Sequence, residues 1–106
     1  MAFSILITDN FKKEFKRLSR KFSSLRVEIE TLRNEILDHP QLGTPIGHGF
    51  YKIRLSIASK GKGKRGGGRV ITFVKVLDET VFLVSVYDKS EQSDIAIHDL
   101  QNLMNL

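Results

Sequence analysis

The 106-residue sequence contains no cysteine. Disulfide bonds and thiolate metal sites are therefore excluded, and a reducing, intracellular setting is favoured. Long hydrophobic runs are also absent, since the N-terminal apolar run covers only residues 3–7 and lacks a basic flank. Such a run is shorter than a membrane span or the apolar part of a signal peptide. The sequence therefore predicts a cytoplasmic protein without a membrane partner.

Histidine is sparse, and the three histidines, His39, His48 and His98, are far apart in the sequence. No cluster of carboxylates has the spacing of metal ligands, so we expect no metal ion and no other cofactor. The glycine-rich stretch precedes a strand-like run instead of a helix, which does not match a nucleotide-binding phosphate loop. No serine–histidine–aspartate set is suggested by spacing, although spacing alone does not exclude one.

Carboxylates are missing from the centre of the chain, where none occurs between Asp38 and Asp78. Eight lysine and arginine residues fall in this window and give it a charge of +8, whereas the whole chain carries only +5. The positive charge is therefore one concentrated feature, which fits a polyanionic partner. Its middle, residues 58–68, is a loop rich in glycine and lysine between two strand-like runs.

Two stretches near the N-terminus have the apolar spacing of amphipathic helices, with intervals of four and three residues. A short break between them predicts an antiparallel helical hairpin. The outer face of the first helix is basic, so it is either a solvated surface or a face that follows a phosphate backbone. The two apolar stripes are Phe11, Phe15, Leu18 and Phe22, then Leu25, Ile29, Leu32 and Ile36. Thr8, Asp9 and Asn10 are candidate N-cap residues for the first helix.

Three later stretches, residues 50–57, 69–77 and 81–87, are predicted to be β-strands. Residues 41–49 are predicted to form a loop, and a final helix is expected with Ser90 as its N-cap and Glu91 and Asp94 in its first turn. The order β-α-α-β-β-β-α predicts a single α+β domain over residues 1–106, with helices on one face of an antiparallel sheet.

Four cations are expected to meet on the other face of this sheet. Lys52 and Arg54 share one face of the first strand of the group, because side chains alternate along a strand. Arg69 opens the next strand and Lys89 follows the third. Such a cluster can bind a phosphodiester and stabilise its transition state, and neighbouring cations can lower a lysine pKa enough for a general base. A plain anion-binding patch or a solvated face is the alternative.

Three segments together resemble the RelE/ParE superfamily of toxins from bacterial type II toxin–antitoxin modules, most closely the RelE/HigB-like branch. They are YKIRL within residues 50–55, GRVI at residues 68–71 after a basic glycine loop, and VSVYDKSE at residues 84–91. The resemblance covers nearly the whole chain and implies a RelE-like, microbial ribonuclease-type fold. It also implies a metal-independent endoribonuclease, an mRNA interferase that enters the ribosomal A site, cuts messenger RNA through its 2′-hydroxyl, and so inhibits translation and arrests growth.

The resemblance also implies roles for the four cations. Lys52 and Arg54 match the paired cations of the strand after the helical hairpin, and Lys52 would act as the base or orient the 2′-hydroxyl. Arg69 matches the arginine that contacts the scissile phosphate. Lys89 would stabilise charge or protonate the leaving 5′-oxygen.

Further residues are expected to contact RNA, and other partners follow from the resemblance. These partners are a cognate antitoxin, the ribosome with its rRNA and mRNA, and operator DNA only through the antitoxin. Ile95 stands where RelE has a tyrosine that stacks on an mRNA base, so stacking would be supplied otherwise or activity would be lower. The expected RNA contacts are Lys60, Lys62, Lys64, Arg65, Lys13, Arg17, Arg20 and Tyr87.

Two other functions stay open at the level of the sequence. One is a ParE-like toxin that inhibits a topoisomerase by binding and cuts no RNA; the complete set of four cations argues against it. The other is a degenerate, non-catalytic member that acts only in a complex of antitoxin and operator, which the missing tyrosine keeps open.

Overall fold

The computed structural model describes residues 2–60 and 67–106. The α+β prediction is confirmed, and the predicted elements occur in the predicted order. One short strand is added inside residues 41–49, which were expected to be a loop. The elements are β1 (Ser4–Ile7), α1 (Asp9–Lys21), α2 (Leu25–Asp38), β2 (Thr44–Gly47), β3 (Phe50–Leu55), β4 (Gly68–Lys75), β5 (Thr80–Asp88) and α3 (Ile97–Leu103), with a 3₁₀ turn at Ala58–Lys60.

The five strands form one sheet in the order β1-β5-β4-β3-β2. The pairs β2–β3, β3–β4 and β4–β5 are antiparallel, whereas the pair β1–β5 is parallel. The antiparallel prediction therefore holds for the central strands but not for β1. A parallel pair needs a long crossover connection, and the helical hairpin with the following strands provides it.

Helices α1 and α2 pack on one face of the sheet and bury the two predicted apolar stripes, except that Phe15 is half-buried. Phe11 and Leu18 from α1 and Leu25 and Ile36 from α2 are at most 2% exposed. The Thr8 hydroxyl accepts a hydrogen bond from the Phe11 N–H at 3.1 Å, which confirms Thr8 as the N-cap of α1. Each fully buried leucine or phenylalanine contributes about 1.5–3 kcal/mol by leaving water. This face therefore holds the main core.

β1 pairs only with the first half of β5, from Thr80 to Leu83. Side chains from the start of α1 cover the edge of the second half of β5. The Asn10 amide donates to the Val84 carbonyl at 3.0 Å. Glu14 Oε1 accepts hydrogen bonds from the Val86 N–H at 3.2 Å and the Ser85 hydroxyl at 2.8 Å. Because the backbone groups of an uncovered strand edge would otherwise need water, these contacts fix the second half of β5 against α1.

The C-terminal segment covers part of the opposite face, so the expectation that all helices pack on one face is wrong. Ile95, Ile97 and Leu100 pack there with Phe50 and Tyr87. The prediction that Ser90 caps the last helix is also wrong, because α3 begins at Ile97 with Ala96 as its N-cap residue. Ser90 lies in the turn that follows β5, several residues before α3 begins.

Among the helices of residues 2–60 and 67–106, none combines the length and the apolar character that a membrane span requires. The longest of these helices, α2, has 14 residues. A span of the hydrocarbon core takes about 20 apolar residues.

Candidate active site: a cationic cavity on the sheet

The structure brings the four predicted cations together around one cavity of about 280 Å³. No carboxylate is among the described residues that line it. The lining consists of Lys52, Arg54, Arg69 and Lys89, with Thr44, Ile46 and Ser93. We call this the cationic cavity.

Strand geometry explains why these four side chains meet. Alternation along β3 places Lys52 and Arg54 on the same side of the sheet. The β3–β4 register sets Arg54 directly opposite Arg69. Lys89 follows the last residue of β5, Asp88, which pairs with Gly68 at the start of β4. The ends of three adjacent strands therefore deliver the four cations to one corner of the sheet.

The cations differ in depth. Arg69 is buried, with 5% of its surface exposed, and its Nη1 donates to the Gly68 carbonyl at 2.9 Å. Lys52 is half-buried, while Arg54 and Lys89 are exposed. Arg54 and Arg69 face each other across two strands, where like charges repel. An anion in the cavity would be attracted by all four cations and would offset this repulsion. An arginine keeps its charge when buried, and its planar fork suits two phosphate oxygens.

Lys52 already has a carboxylate partner, since its Nζ lies 3.1 Å from Asp94 Oδ1. The same oxygen accepts a hydrogen bond from the Ile95 N–H at 2.8 Å. The Ile95 N–H and then the Lys52 ammonium hold the pKa of Asp94 below its ordinary value. An incoming phosphate would therefore compete with Asp94 for Lys52.

Tyr87 does not reach the surface, and the expected RNA contact at this residue is wrong for this structure. Its side chain is packed in the apolar cluster under α3 with only 1% exposed. The hydroxyl has no hydrogen-bond partner among the described residues. Burial, with the charge of Asp94 nearby, raises the pKa of Tyr87. The sequence offered a signal, because residues 81–87 form an almost continuous apolar run of the kind found in strands buried on both faces.

Ile95, the residue in place of the family tyrosine, is half-buried and packs against the same cluster. It supplies no aromatic surface for a base. In the described part of the chain, no aromatic side chain lines the cationic cavity.

Lys60 also differs from its predicted role. Its ammonium is bound to the Asp88 carboxylate and donates to the Ser90 hydroxyl at 3.2 Å. Only 7% of the Lys60 side chain is exposed. Lys60 therefore serves as an internal partner, and direct RNA contact is wrong for it in this structure. The other predicted contacts of this loop, Lys62, Lys64 and Arg65, lie outside the described residues.

The basic face of α1 divides into two parts. Arg17 and Lys21 both bind Glu91, at 3.3 and 3.2 Å, and these hydrogen bonds lower the pKa of Glu91. Arg20 points instead to a groove of about 360 Å³ along α1. The groove is lined by Lys12, Phe15, Lys16, Ser19, Arg20 and Arg26. Within residues 2–60 and 67–106, none of its four cations forms a salt bridge. Lys13 is exposed on another side of α1.

No group of three or more histidine, cysteine, aspartate or glutamate side chains is placed to hold a metal ion within residues 2–60 and 67–106. The cationic cavity itself offers only nitrogen cations and hydroxyl groups as polar side chains. Such a lining suits an anionic ligand and repels a metal cation.

Two carboxylates near the site, Asp88 and Asp94, were missed by reasoning from the sequence. Asp94 was assigned to the first turn of a helix, and no role was predicted for Asp88 within the segment at residues 84–91. A signal for Asp88 existed, since an aspartate directly after a buried strand is expected to find hydrogen-bond donors. No comparable signal identified Asp94 as the partner of Lys52.

Comparison with known proteins supplies the remaining observations. A family model described as "RelE toxin of RelE / RelB toxin-antitoxin system" matches residues 4–106. The isolated E. coli RelE toxin has a similar structure, with a TM-score of 0.63 and 19% identity over 98% of both chains. The intact E. coli RelBE toxin–antitoxin complex gives 0.62 and 23%, covering 82% of this chain and 96% of that chain. The RelBE2 complex from Mycobacterium tuberculosis gives 0.60 and 15%, covering 83% and 99%. At these identities, the structural likeness is one of fold.

Proposed function

Because the chain belongs to the RelE family of toxins from toxin–antitoxin systems, we propose that it is a ribosome-dependent endonuclease that cuts messenger RNA. The observation that carries the proposal is the convergence of Lys52, Arg54, Arg69 and Lys89 on one cavity. Fixed cations of this kind stabilise the extra negative charge that develops on a phosphate during cleavage.

The proposed reaction is an attack of the RNA 2′-hydroxyl on the adjacent phosphorus. The new bond joins the 2′-oxygen to phosphorus, and the bond from phosphorus to the 5′-oxygen breaks, which leaves a 2′,3′-cyclic phosphate and a 5′-hydroxyl. Arg69, the buried cation, binds the non-bridging oxygens, and the exposed Arg54 contributes further positive charge. Lys52 orients the 2′-hydroxyl or accepts its proton, and Lys89 protonates the departing 5′-oxygen or stabilises its charge.

No metal ion takes part in this scheme. In metal-dependent nucleases, cations at the phosphate neutralise charge on the attacking and leaving oxygens. Here the guanidinium and ammonium groups of the cationic cavity supply that charge.

An antitoxin protein is the expected inhibitor. Two of the solved structures that this fold resembles are toxin–antitoxin complexes. An acidic or amphipathic segment of a cognate antitoxin would complement the cationic cavity and exclude RNA from it. Contact with operator DNA would then occur only through the antitoxin, in the cytoplasm.

The groove along α1 supports an additional RNA contact away from the cavity. Lys13 is exposed on another side of α1, whereas Lys12, Lys16 and Arg20 line the groove together with Arg26 from α2. Since these cations have no salt bridge in the described part of the chain, they are available to ribosomal RNA phosphates. Arg17 is less available because it binds Glu91.

Replacing Arg20 by alanine is expected to weaken ribosome binding in a salt-dependent manner. The slope of log K against log salt concentration should fall by about 0.7–1, because one phosphate contact is lost. Co-sedimentation with ribosomes at several KCl concentrations measures this slope. Arg33→Ala, at an exposed arginine of α2 outside the groove, is the matched control and should leave the slope unchanged. An unchanged slope for Arg20→Ala would remove Arg20 from the RNA contacts.

Primer extension on a translated message, with and without ribosomes, tests the proposed activity. We expect new 5′ ends only when ribosomes translate the message. Cleavage of free RNA at the same rate would contradict ribosome dependence. An absence of cleavage together with accumulated gyrase–DNA breaks would overturn the proposal in favour of topoisomerase inhibition.

A further inference from the structure

Residues 88–90, directly after β5, hold both ends of the glycine- and lysine-rich loop. At the loop's start, the Lys60 ammonium binds the Asp88 carboxylate. At its end, the Lys89 N–H donates to the Gly67 carbonyl at 3.1 Å. The neighbouring Gly68 pairs with Asp88 in the sheet. One tripeptide therefore fixes the two points from which the loop emerges.

The Asp88–Lys60 ion pair is buried and well satisfied. Asp88 is 1% exposed, and its Oδ1 also accepts hydrogen bonds from the Ser90 N–H at 3.0 Å and the Ser90 hydroxyl at 2.8 Å. The Lys60 Nζ lies 5.6 Å from the centre of the Phe22 ring. A buried pair is retained when further hydrogen bonds saturate both charges. Such a pair fixes geometry more firmly than a solvent-exposed one.

Lys89 lies between the two anchoring residues, and its side chain lines the cationic cavity. Its backbone is held on one side by the Asp88–Lys60 pair and on the other by Ser90, which binds the same carboxylate. The start of α2 adds a second support for the loop. There Ser24 and Ser59 are joined by a hydroxyl contact of 2.8 Å, and Glu28 Oε2 accepts from the Ala58 N–H at 2.7 Å.

We propose that Asp88 and Lys60 are positioning residues that set the backbone of Lys89, and with it the ammonium group, against Arg69. Neither residue lines the cationic cavity. The proposal rests on the function proposed above, because the quantity it affects is the rate of cleavage. A displacement of about 1 Å in a catalytic group can cost roughly 10²-fold in rate.

The variant Lys60→Met tests this role while Asp88 keeps another cation beside it. Lys21 Nζ remains 3.7 Å from Asp88 Oδ2, so the carboxylate keeps a cationic neighbour and Ser90 keeps its hydrogen bonds. We expect kcat for ribosome-dependent cleavage to fall by at least about tenfold, with KM changed by less than about twofold. Lys60→Arg, which retains the cation, should recover most of the rate.

A lysine that contacts RNA would behave differently. In that case Lys60→Met would raise KM, leave kcat unchanged and reduce the salt dependence of RNA binding by about one phosphate contact. That result would overturn the positioning role.

Amide hydrogen exchange provides a measurement that needs no cleavage. In Lys60→Met, exchange of the Lys89 N–H should accelerate by about tenfold or more, because its local protection depends on the anchored turn. The Ser4 N–H, bonded to the Glu79 carbonyl at the far end of β5, should be unaffected. If the wild-type protein cleaves no RNA, the proposed function fails while the exchange of Lys89 still decides the structural half of this proposal. Unchanged exchange at Lys89 would overturn it.

Discussion

Replacing Arg69 by alanine is expected to lower kcat for mRNA cleavage on ribosomes by about 10²–10³-fold, the loss seen when a preorganised donor to a developing anion is removed. Arg69 is the most deeply placed of the four cations, with 5% exposed. A guanidinium in a water-poor position interacts more strongly with a phosphate than an exposed one does. Single-turnover cleavage of a programmed ribosome, followed by primer extension, measures this rate.

Two variants control for indirect effects of the Arg69 substitution. Lys75→Ala removes an exposed cation from the same strand, outside the cationic cavity, and should leave the rate unchanged. Arg69→Lys keeps the charge but not the planar fork, and we expect an intermediate rate. Circular dichroism and a cooperative thermal transition establish that Arg69→Ala is folded. Wild-type cleavage by folded Arg69→Ala would show that Arg69 does not bind the scissile phosphate.

Replacing Asp88 by asparagine is expected to reduce the free energy of unfolding by about 3–5 kcal/mol at neutral pH, since it leaves the buried Lys60 ammonium without its counter-charge. Among the described residues, the Ser90 hydroxyl and the Phe22 ring would remain as neighbours of the Lys60 ammonium. Urea unfolding of the two proteins at pH 7 measures the difference.

The same carboxylate predicts how stability depends on pH. Burial alone would raise the pKa of Asp88, but hydrogen bonds from Lys60 and Ser90 outweigh it and lower the pKa from 3.8 to about 2. The charged carboxylate is therefore favoured in the folded state. Its contribution, about 2 kcal/mol, is fully present above the unfolded pKa and is lost as the pH falls through about 2. Wild-type stability should decline between pH 5 and pH 2, and Asp88→Asn should lack this part of the decline.

Asp78→Asn is the matched control for Asp88→Asn. Asp78 is 56% exposed and binds Lys75 at 2.9 Å. A surface pair of this kind contributes about 0–1 kcal/mol. If the two asparagine variants lost equal free energy of unfolding, the buried Asp88–Lys60 pair would contribute no more to stability than the exposed Asp78–Lys75 pair.

Local periodicity along the sequence was enough to predict several elements of the fold. Intervals of four and three apolar residues set α1 and α2, and their stripes became the main core. Alternation in residues 50–55 fixed Lys52 and Arg54 on one face, and the short turn before Thr80 made β4 and β5 antiparallel neighbours. These features depend on backbone geometry within a few residues, so they can be read along the chain. Strand order also predicted that Arg69 and Lys89 would meet these two cations, and the resemblance of three segments to one toxin family added a role for each of the four.

Which polar side chains reach the surface, and which are buried or paired with other side chains, became clear only from the folded structure. Lys60 and Tyr87 looked like surface RNA contacts, yet both are buried, and Arg17 binds Glu91 across the fold. Position along the strand could not show that α3 would cover Tyr87. The placement of β1 beside β5 likewise depends on a crossover, which local pattern does not specify.

The physical reason is the distance along the chain between partners. Asp88 and Lys60 are separated by 28 residues, and Asp94 and Lys52 by 42. A charged side chain has no periodic signal that identifies its partner, and its pairing emerges only when packing brings distant strand ends together. The sequence placed four cations on the sheet. The fold determined that Arg69 is the buried one, that Lys52 pairs with Asp94, and that Asp88 pairs with Lys60 beside Lys89.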